Sequence, residues 1–249
     1  MSTSRLTERL DVRHPLQRLQ SPSRGFSGLV HVLGLFDFYS CFKWLMNNPN
    51  KINKSYGWHL QYLTIIGLSL STLSFSIGLL ADMLNSPTLF TLKNYLSLTA
   101  TPLECLISIL YWGLRLISPS LVVPPDLPML PVLIDFSFHL FPSLLLTLDT
   151  LLLSPPWPTS PVNPRAGLIT LSVSTGLAFA YWFWIELCYR HNGWYPYPIF
   201  GLLSTGQRIA LFAGSGGVMW AVGAGLRWAY KILNGIDEDG IGKNGSKDA

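Results

Sequence analysis

Charged side chains are scarce in this chain. Asp, Glu, Lys and Arg make up 12% of its 249 residues, whereas a typical soluble domain has about 25%. Apolar residues make up 49% of the chain, and the mean hydropathy is +0.35. This balance argues against a soluble domain and indicates a protein with several membrane spans. The length suits five or six spans with short loops and leaves no room for a second, soluble domain.

Cysteine and metal-binding patterns are also rare. The three cysteines form no C-x-x-C pair, and their odd number supports no disulfide framework. We interpret them as apolar packing residues. A metal centre needs about three histidine or carboxylate ligands, and no H-x-H or H-x-x-x-H spacing occurs among the histidines. We therefore expect no metal and no cofactor, and we rank a metal-dependent lipid hydrolase low.

Positive charge is concentrated before the first apolar run. The arginines in this segment are Arg5, Arg9, Arg13, Arg18 and Arg24. The segment lacks the apolar core followed by small residues that a cleaved signal peptide has. The positive-inside rule indicates a cytosolic anchor. Because the basic run is short and fused to a membrane body, we expect no nucleic-acid partner.

Six apolar runs predict an all-α fold, a polytopic transmembrane helical bundle with about six spans. The runs cover residues 26–46, 58–80, 95–117, 131–153, 167–188 and 208–233. The first carries three ionisable residues, so an interfacial helix is its alternative. We divide the chain into a basic cytosolic segment (1–25), a transmembrane domain (26–234) and a polar disordered tail (235–249).

Two polar residues lie inside runs that lipid should surround, Thr64 and His139. A histidine at membrane depth is costly, and its default interpretation is functional. In a six-span topology both runs begin on the lumenal or extracellular side. Thr64 follows Trp58 by six residues and His139 follows Pro131 by eight, which gives depths of about 9 and 12 Å. The histidine could therefore activate the threonine as a nucleophile, although each residue alone also has a structural interpretation.

Polar residues also line one face of the fourth run at i, i+4 spacing. They are Asp135, His139, Ser143 and Thr147. A face of small and polar residues in the second run, from Thr64 to Gly78, is expected to lie close to it. Asp135 is a candidate to orient the His139 ring, with a helix cap as the alternative. For an oxyanion, the open candidates are Tyr62, Ser143 and Arg208.

Three acids lie toward the cytosolic ends of their runs. They are Asp82, Glu104 and Asp149. They could solvate a helix end or pair with Lys93. If the protein were instead a transporter, the intramembrane acids Asp37, Glu104 and Asp149 would line a solute path.

Several short patterns resemble a known family when they are taken together. They are W-x-x-x-x-L-T ending at Thr64, an acid at Asp82, H-x-x-P at His139 and Pro142, an acid at Asp149, and NGWYPYPIF before TGQRIALF with Arg208. In order and spacing they resemble the androgen-induced and androgen-dependent TFPI-regulating proteins. This chain has Phe136 where some relatives have a second histidine.

The resemblance implies a membrane threonine hydrolase that cleaves fatty acid esters of hydroxy fatty acids. It implies Thr64 as the nucleophile and His139 as the base. The partners we expect are a lipid substrate drawn from the bilayer and the surrounding membrane lipids. We expect an integral protein of the endomembrane system, with the endoplasmic reticulum ahead of the plasma membrane. The alternative is a non-enzymatic membrane transporter or scaffold.

Overall fold

The computed structural model describes residues 24–124, 127–154 and 165–233. Within these ranges the chain forms α-helices joined by short turns and contains no β-strand. The helices are α1 (Arg24–Asn47), α2 (Leu63–Leu84), α3 (Pro87–Ile117), α4 (Val132–His139), α5 (Phe141–Leu148), α6 (Ala166–Asn192), α7 (Pro198–Leu202) and α8 (Thr205–Leu233). The predicted all-α bundle is confirmed. The predicted disordered tail, and all but the last two residues of the basic segment, lie outside the described residues.

The number of long apolar helices agrees with the predicted six spans. Helices α1, α2, α3, α6 and α8 are each long and apolar enough to cross a membrane. Helices α4 and α5 together provide a sixth, bent by 43°. The first run, for which an interfacial helix was the alternative, forms a 24-residue helix that meets the same criteria.

Helix α3 is at the centre of the bundle and packs against α2, α5 and α8. The small face of α2 approaches it closely. Ser71 donates a hydrogen bond to Glu104 at 3.0 Å, and a Cβ at Gly67 would lie 2.7 Å from a Glu104 carboxylate oxygen. The prediction that this face lies against the fourth run is therefore wrong, because its small residues allow close contact with α3 instead.

The fourth run is broken into two helices, which corrects the prediction of one continuous span. Helix α4 ends at His139, and Leu140 leaves the helical conformation with φ −133° and ψ −52°. Pro142 in the first turn of α5 lacks an N–H, so it cannot donate the helical hydrogen bond to the carbonyl of Phe138, four residues earlier. At the break, the carbonyl of His139 accepts a hydrogen bond from the Trp112 indole at 3.2 Å. Asp149–Leu153 continue α5 as a π-helical turn.

Helix α2 begins at Leu63 rather than at Trp58. The preceding loop contains two 3₁₀ turns, Lys51–Lys54 and Trp58–Gln61. Gly57 has φ +85°, and a Cβ there would lie 2.7 Å from the Cys188 sulfur on α6. Thr64 is therefore in the first turn of its helix. The α-helical rise assumed from Trp58 does not apply to the 3₁₀ turn Trp58–Gln61, and the depth of Thr64 in the membrane stays a prediction.

A buried network of ionisable side chains connects four segments at the end of the bundle where α2 ends. Lys93 donates to Asp149 at 2.7 Å, as the sequence predicted for one of the three acids. His31 lies between two carboxylates, 2.9 Å from Asp82 and 3.2 Å from Asp149. All four side chains are buried. The network joins α1, α2, α3 and the π-helical turn, so it holds α1 to the bundle.

Candidate active site

Thr64 and His139 line the same cavity, which has a volume of about 410 Å³. Thr64 comes from the first turn of α2, and His139 is the last residue of α4. Both side chains are buried, with 5% and 8% exposure. Helices α2 and α4 thus bring together, at one end of the bundle, the two residues that the sequence singled out. Three tyrosines line the same cavity: Tyr62, Tyr111 and Tyr197.

Two side chains, Asp135 and Tyr111, hold the imidazole of His139. Its Nδ1 lies 2.9 Å from a carboxylate oxygen of Asp135. A carboxylate only accepts hydrogen bonds, so Nδ1 carries the proton in the neutral ring. The Tyr111 ring stacks on the imidazole with centroids 3.5 Å apart and planes 3° apart. This arrangement leaves Nε2 as the nitrogen that can accept a proton.

Asp135 is buried and has three side-chain contacts. Besides His139 it accepts a hydrogen bond from the Tyr111 hydroxyl at 2.6 Å and forms an ion pair with Arg115. These contacts place its carboxylate between side chains and not at the N–H groups of the first turn of α4, so the helix-cap alternative is wrong. The position suits a residue that orients His139, and that role stays a prediction.

The Thr64 hydroxyl has a partner that the sequence did not suggest. It lies 3.5 Å from the hydroxyl of Tyr197. Among the described residues, no hydrogen bond joins Thr64 to His139, so the two share a cavity without touching. Catalytic hydrogen bonds are often long before substrate binds, and proton transfer between the pair stays a prediction.

The N-terminus of α2 lies at Thr64, and the neighbouring N–H groups already have acceptors. Those of Ile65 and Ile66 donate to the Tyr62 carbonyl at 3.1 and 3.2 Å. The Leu63 N–H donates to the Tyr181 hydroxyl at 3.1 Å, and that hydroxyl donates to the Gln61 carbonyl at 2.8 Å. The first N–H groups of a helix have no partner within it and carry partial positive charge. Burial raises the pKa of the Tyr197 phenol, so this hydroxyl remains protonated and able to donate. Negative charge that develops near Thr64 would be stabilised here.

Arg208 positions the segment that carries Tyr197. Its guanidinium pairs with Glu186 of α6 at 2.8 Å and donates to the Leu203 carbonyl at 2.6 Å. The Tyr195 hydroxyl also donates to Glu186, at 3.0 Å. These contacts fix the aromatic turn NGWYPYPIF beside α2, which gives a structural reason for that motif and for the arginine that follows it.

The sequence offered three candidates to donate a hydrogen bond to an oxyanion, and the structure leaves one of them at the cavity. Arg208 is engaged with Glu186 and does not line the cavity. The Ser143 hydroxyl donates back to the Leu140 carbonyl at 2.8 Å. Of the three, Tyr62 lines the cavity, and its ring packs edge-on against Tyr197 with centroids 5.4 Å apart.

A second cavity, of about 340 Å³, meets the first at Thr64. Thr64, Tyr111 and Tyr197 line both. The second cavity runs between α2, α3, α6 and α8. Its walls are mainly aliphatic, and they include Leu63, Ile66, Leu106, Ile107, Leu177 and Met219. Thr64 therefore lies where a mostly apolar cavity adjoins the cavity that contains His139.

Metal-ligating groups do not cluster in the described ranges. No group of three or more His, Cys, Asp or Glu side chains in these ranges could hold a metal ion. Cys41, Cys105 and Cys188 are free thiols.

Comparison with known proteins identifies the family. Residues 26–231 match the sequence model of the FAR-17a/AIG1-like protein family. The chain belongs to this family. A UPF0641 membrane protein of Schizosaccharomyces pombe is 38% identical over 185 residues, which is 74% of this chain and 80% of that protein. No solved structure matches the chain significantly.

The match confirms the resemblance inferred from short patterns and establishes a membrane protein of the FAR-17a/AIG1-like family. It covers every residue of the site described above, from Thr64 to Tyr197. Sequence reasoning missed Tyr111 and Arg115, which lie one turn apart on α3 and face Asp135. Their i, i+4 spacing in an otherwise apolar run was the available signal.

Proposed function

We propose that this FAR-17a/AIG1-like protein is an integral membrane hydrolase of fatty acid esters of hydroxy fatty acids. Thr64 is the nucleophile and His139 is the general base. One observation carries the proposal: two residues that are far apart in sequence line one cavity, and a buried carboxylate holds the proton on the far nitrogen of the histidine. Nucleophile, base and orienting acid are the parts that acyl transfer needs.

The first step forms the acyl-enzyme. Oγ1 of Thr64 bonds to the ester carbonyl carbon while Nε2 of His139 takes the hydroxyl proton. The carbonyl electron pair moves to oxygen, which gives an oxyanion. When the oxyanion collapses, the bond to the alcohol oxygen of the hydroxy fatty acid breaks. The imidazolium returns its proton to that oxygen, and the other fatty acid remains as an ester on Thr64.

The second step releases the fatty acid. Water attacks the acyl carbon while Nε2 of His139 takes one of its protons. The bond to Oγ1 of Thr64 then breaks, and the imidazolium returns the proton to that oxygen. In both steps the Asp135 carboxylate stabilises the imidazolium and keeps the ring in the required orientation.

Tyr197 is the donor that we assign to the oxyanion. Its hydroxyl lies 3.5 Å from Oγ1 of Thr64, so a carbonyl attacked by Oγ1 would come close to it. The positive end of α2 lies beside the same position. Preorganised donors at a developing oxyanion supply a large share of rate enhancement in acyl transfer.

The cavities support a substrate that comes from the bilayer. The apolar cavity beside Thr64 suits a fatty acyl arm, and the larger cavity suits the rest of the ester. Each buried CH₂ contributes about 0.8 kcal/mol, so long arms should strengthen binding. We propose that the protein works in the endomembrane system.

The alternative is a transporter or scaffold without catalysis. The argument for a transporter was that acidic residues lie within the membrane spans. Two of these acids, Asp149 and Glu104, have partners in this structure. Asp149 pairs with Lys93 and His31, and Glu104 accepts a hydrogen bond from Ser71. These contacts explain both acids as packing elements, which favours the hydrolase.

Hydrolysis by the purified protein tests the proposal. Palmitoyl hydroxystearate in mixed micelles should be cleaved by the native protein. Thr64→Ala and His139→Ala should each lose activity by at least about 10³-fold, because each removes a reacting group. Thr72→Ala is the matched control, since this threonine lies on the same helix and its hydroxyl bonds back to the Leu68 carbonyl. Full activity of Thr64→Ala would exclude the mechanism, and no activity in the native protein would favour the transporter or scaffold.

A further inference from the structure

A third cavity, of about 220 Å³, lies between α3, α6, α8 and the π-helical turn. One part of its wall is polar and includes Asn94, Thr170 and Arg227. Another part is apolar and includes Leu98, Ile169, Val173 and Leu226. The proposed hydrolysis uses neither Asn94 nor Arg227.

This cavity adjoins the apolar cavity beside Thr64, and Ser174 and Met219 line both. Asn94 and Arg227 line the third cavity and not the two cavities at Thr64. Arg227 lies eight residues beyond Met219 on α8, which is about 12 Å. A ligand held at Arg227 would therefore lie apart from an ester carbonyl at Thr64.

Arg227 differs from other basic residues of the bundle in its partners. Three others pair with carboxylates: Lys93 with Asp149, Arg115 with Asp135, and Arg208 with Glu186. Arg227 donates to the neutral hydroxyl of Thr170 at 3.1 Å, and within the described ranges it has no ion pair. A guanidinium in a membrane helix without a counter-ion is costly and points to a functional anion.

Asn94 provides a second, independent observation. Its side chain is 8% exposed, and its amide oxygen and nitrogen make no hydrogen bond in the described structure. Buried polar groups without partners cost free energy. A ligand with acceptor oxygens would take hydrogen bonds from the Asn94 amide and from Arg227 at the same wall.

The position of the cavity indicates where the ligand comes from. Arg227 lies six residues before Leu233, the last described residue of α8, which is about 9 Å along the helix. In a six-span topology this end of α8 shares a side with the basic N-terminal segment, which the positive-inside rule places in the cytosol. Anionic lipids are concentrated in the leaflet on that side.

We propose that this cavity binds the phosphate head group of an anionic phospholipid from that leaflet. Arg227 binds the phosphate, since a guanidinium matches two phosphate oxygens, and the Asn94 amide donates to a further oxygen. The apolar wall contacts the first carbons of the acyl chains, which favours a phospholipid over free phosphate. Binding here does not depend on the proposed hydrolysis.

Native mass spectrometry of the full chain, released from nanodiscs that contain phosphatidylglycerol in phosphatidylcholine, tests the proposal. The native protein should retain phosphatidylglycerol. Arg227→Gln should lower its retention about tenfold or more, as loss of a charged hydrogen bond predicts. Lys231→Gln is the matched control, because this exposed cation lies one turn later on α8 and does not line the cavity. It should stay within about twofold of native retention.

A second variant separates binding from folding. Gly223 lines the cavity, and a Cβ there would have only ordinary contacts, 3.7 Å to Arg227 and 3.9 Å to Pro102. Gly223→Ile should therefore fill the cavity and lower phospholipid retention while Arg227 keeps its charge. Equal losses in Arg227→Gln and Lys231→Gln would overturn the proposal, as would native retention by Gly223→Ile. Selective retention of added oleate over phosphatidylglycerol would overturn it in favour of a carboxylate ligand.

Discussion

Replacing Asp135 by Asn tests whether the Asp135 carboxylate sets the tautomer of His139. The carboxylate holds Nδ1 of His139 at 2.9 Å. An amide of the same shape can present its NH₂ group to Nδ1, and the ring proton then moves to Nε2. The nitrogen that should accept the Thr64 proton would be blocked, although every side chain stays in place.

The expected losses of turnover and of stability in Asp135→Asn can both be estimated. A base held in the wrong tautomer costs up to about 10⁴-fold in turnover, so we expect a decrease of about 10²–10⁴-fold per folded molecule. Arg115 also loses its ion-pair partner. Its side chain is 23% exposed, so the stability cost should lie near the lower end of the roughly 3–5 kcal/mol for a broken buried pair.

The assay must separate turnover from folding. Turnover of palmitoyl hydroxystearate would be measured in mixed micelles and divided by the folded fraction from thermal unfolding. Asp82→Asn is the matched control. Asp82 is buried and accepts from Ser27 at 2.7 Å and contacts His31 at 2.9 Å, so its replacement also costs stability. It lies eighteen residues from Thr64 on α2, which is about 27 Å.

The two variants should therefore diverge. Asp82→Asn should retain native turnover per folded molecule, whereas Asp135→Asn should lose it. If both variants keep native turnover per folded molecule, Asp135 does not set the tautomer of His139, and its contacts with Tyr111 and Arg115 are structural.

Three further predictions follow from other parts of the molecule. Tyr197→Phe should lower kcat by about 10²–10³-fold with little change in KM, as loss of an oxyanion donor does; steady-state kinetics would show it, with Tyr39→Phe, a change at an exposed tyrosine of α1, as control. Leu177→Trp should fill the apolar cavity, which Leu177 lines without lining the third cavity, so it should lower kcat/KM for a palmitate ester while sparing an acetate ester. Lys93→Met should leave Asp149 buried without its cation and lower the free energy of unfolding by about 3–5 kcal/mol, measured by unfolding in detergent; native stability would show that the pair contributes little.

The number and type of helices could be predicted from the sequence because lipid allows few alternatives. Long charge-poor runs must satisfy their backbone groups internally, so they form helices. The residues at which the helices begin and end were harder to predict. Helix α2 starts five residues later than expected because Gly57 and Trp58 adopt positive φ values. The fourth span breaks at Leu140, two residues before Pro142, which cannot donate a helical hydrogen bond.

The two candidate residues of the site were easier to predict than their neighbours. Thr64 and His139 stood out because polar groups are costly in lipid. Tyr197 is 133 residues from Thr64, and its approach depends on how Arg208 and Glu186 hold the loop after α6. Such contacts follow from tertiary packing. The pairing of α2 with α3 was also mispredicted, because its small residues suit any close neighbour.

Mapping a covalent adduct tests the central claim most directly. The purified protein would be labelled with a fluorophosphonate probe in membranes, and the modified residue identified by peptide mass spectrometry. The account predicts an adduct on Thr64 that is absent in Thr64→Ala, strongly reduced in His139→Ala and unchanged in Thr72→Ala. An adduct on another residue, or labelling of Thr64→Ala at the native level, would contradict it.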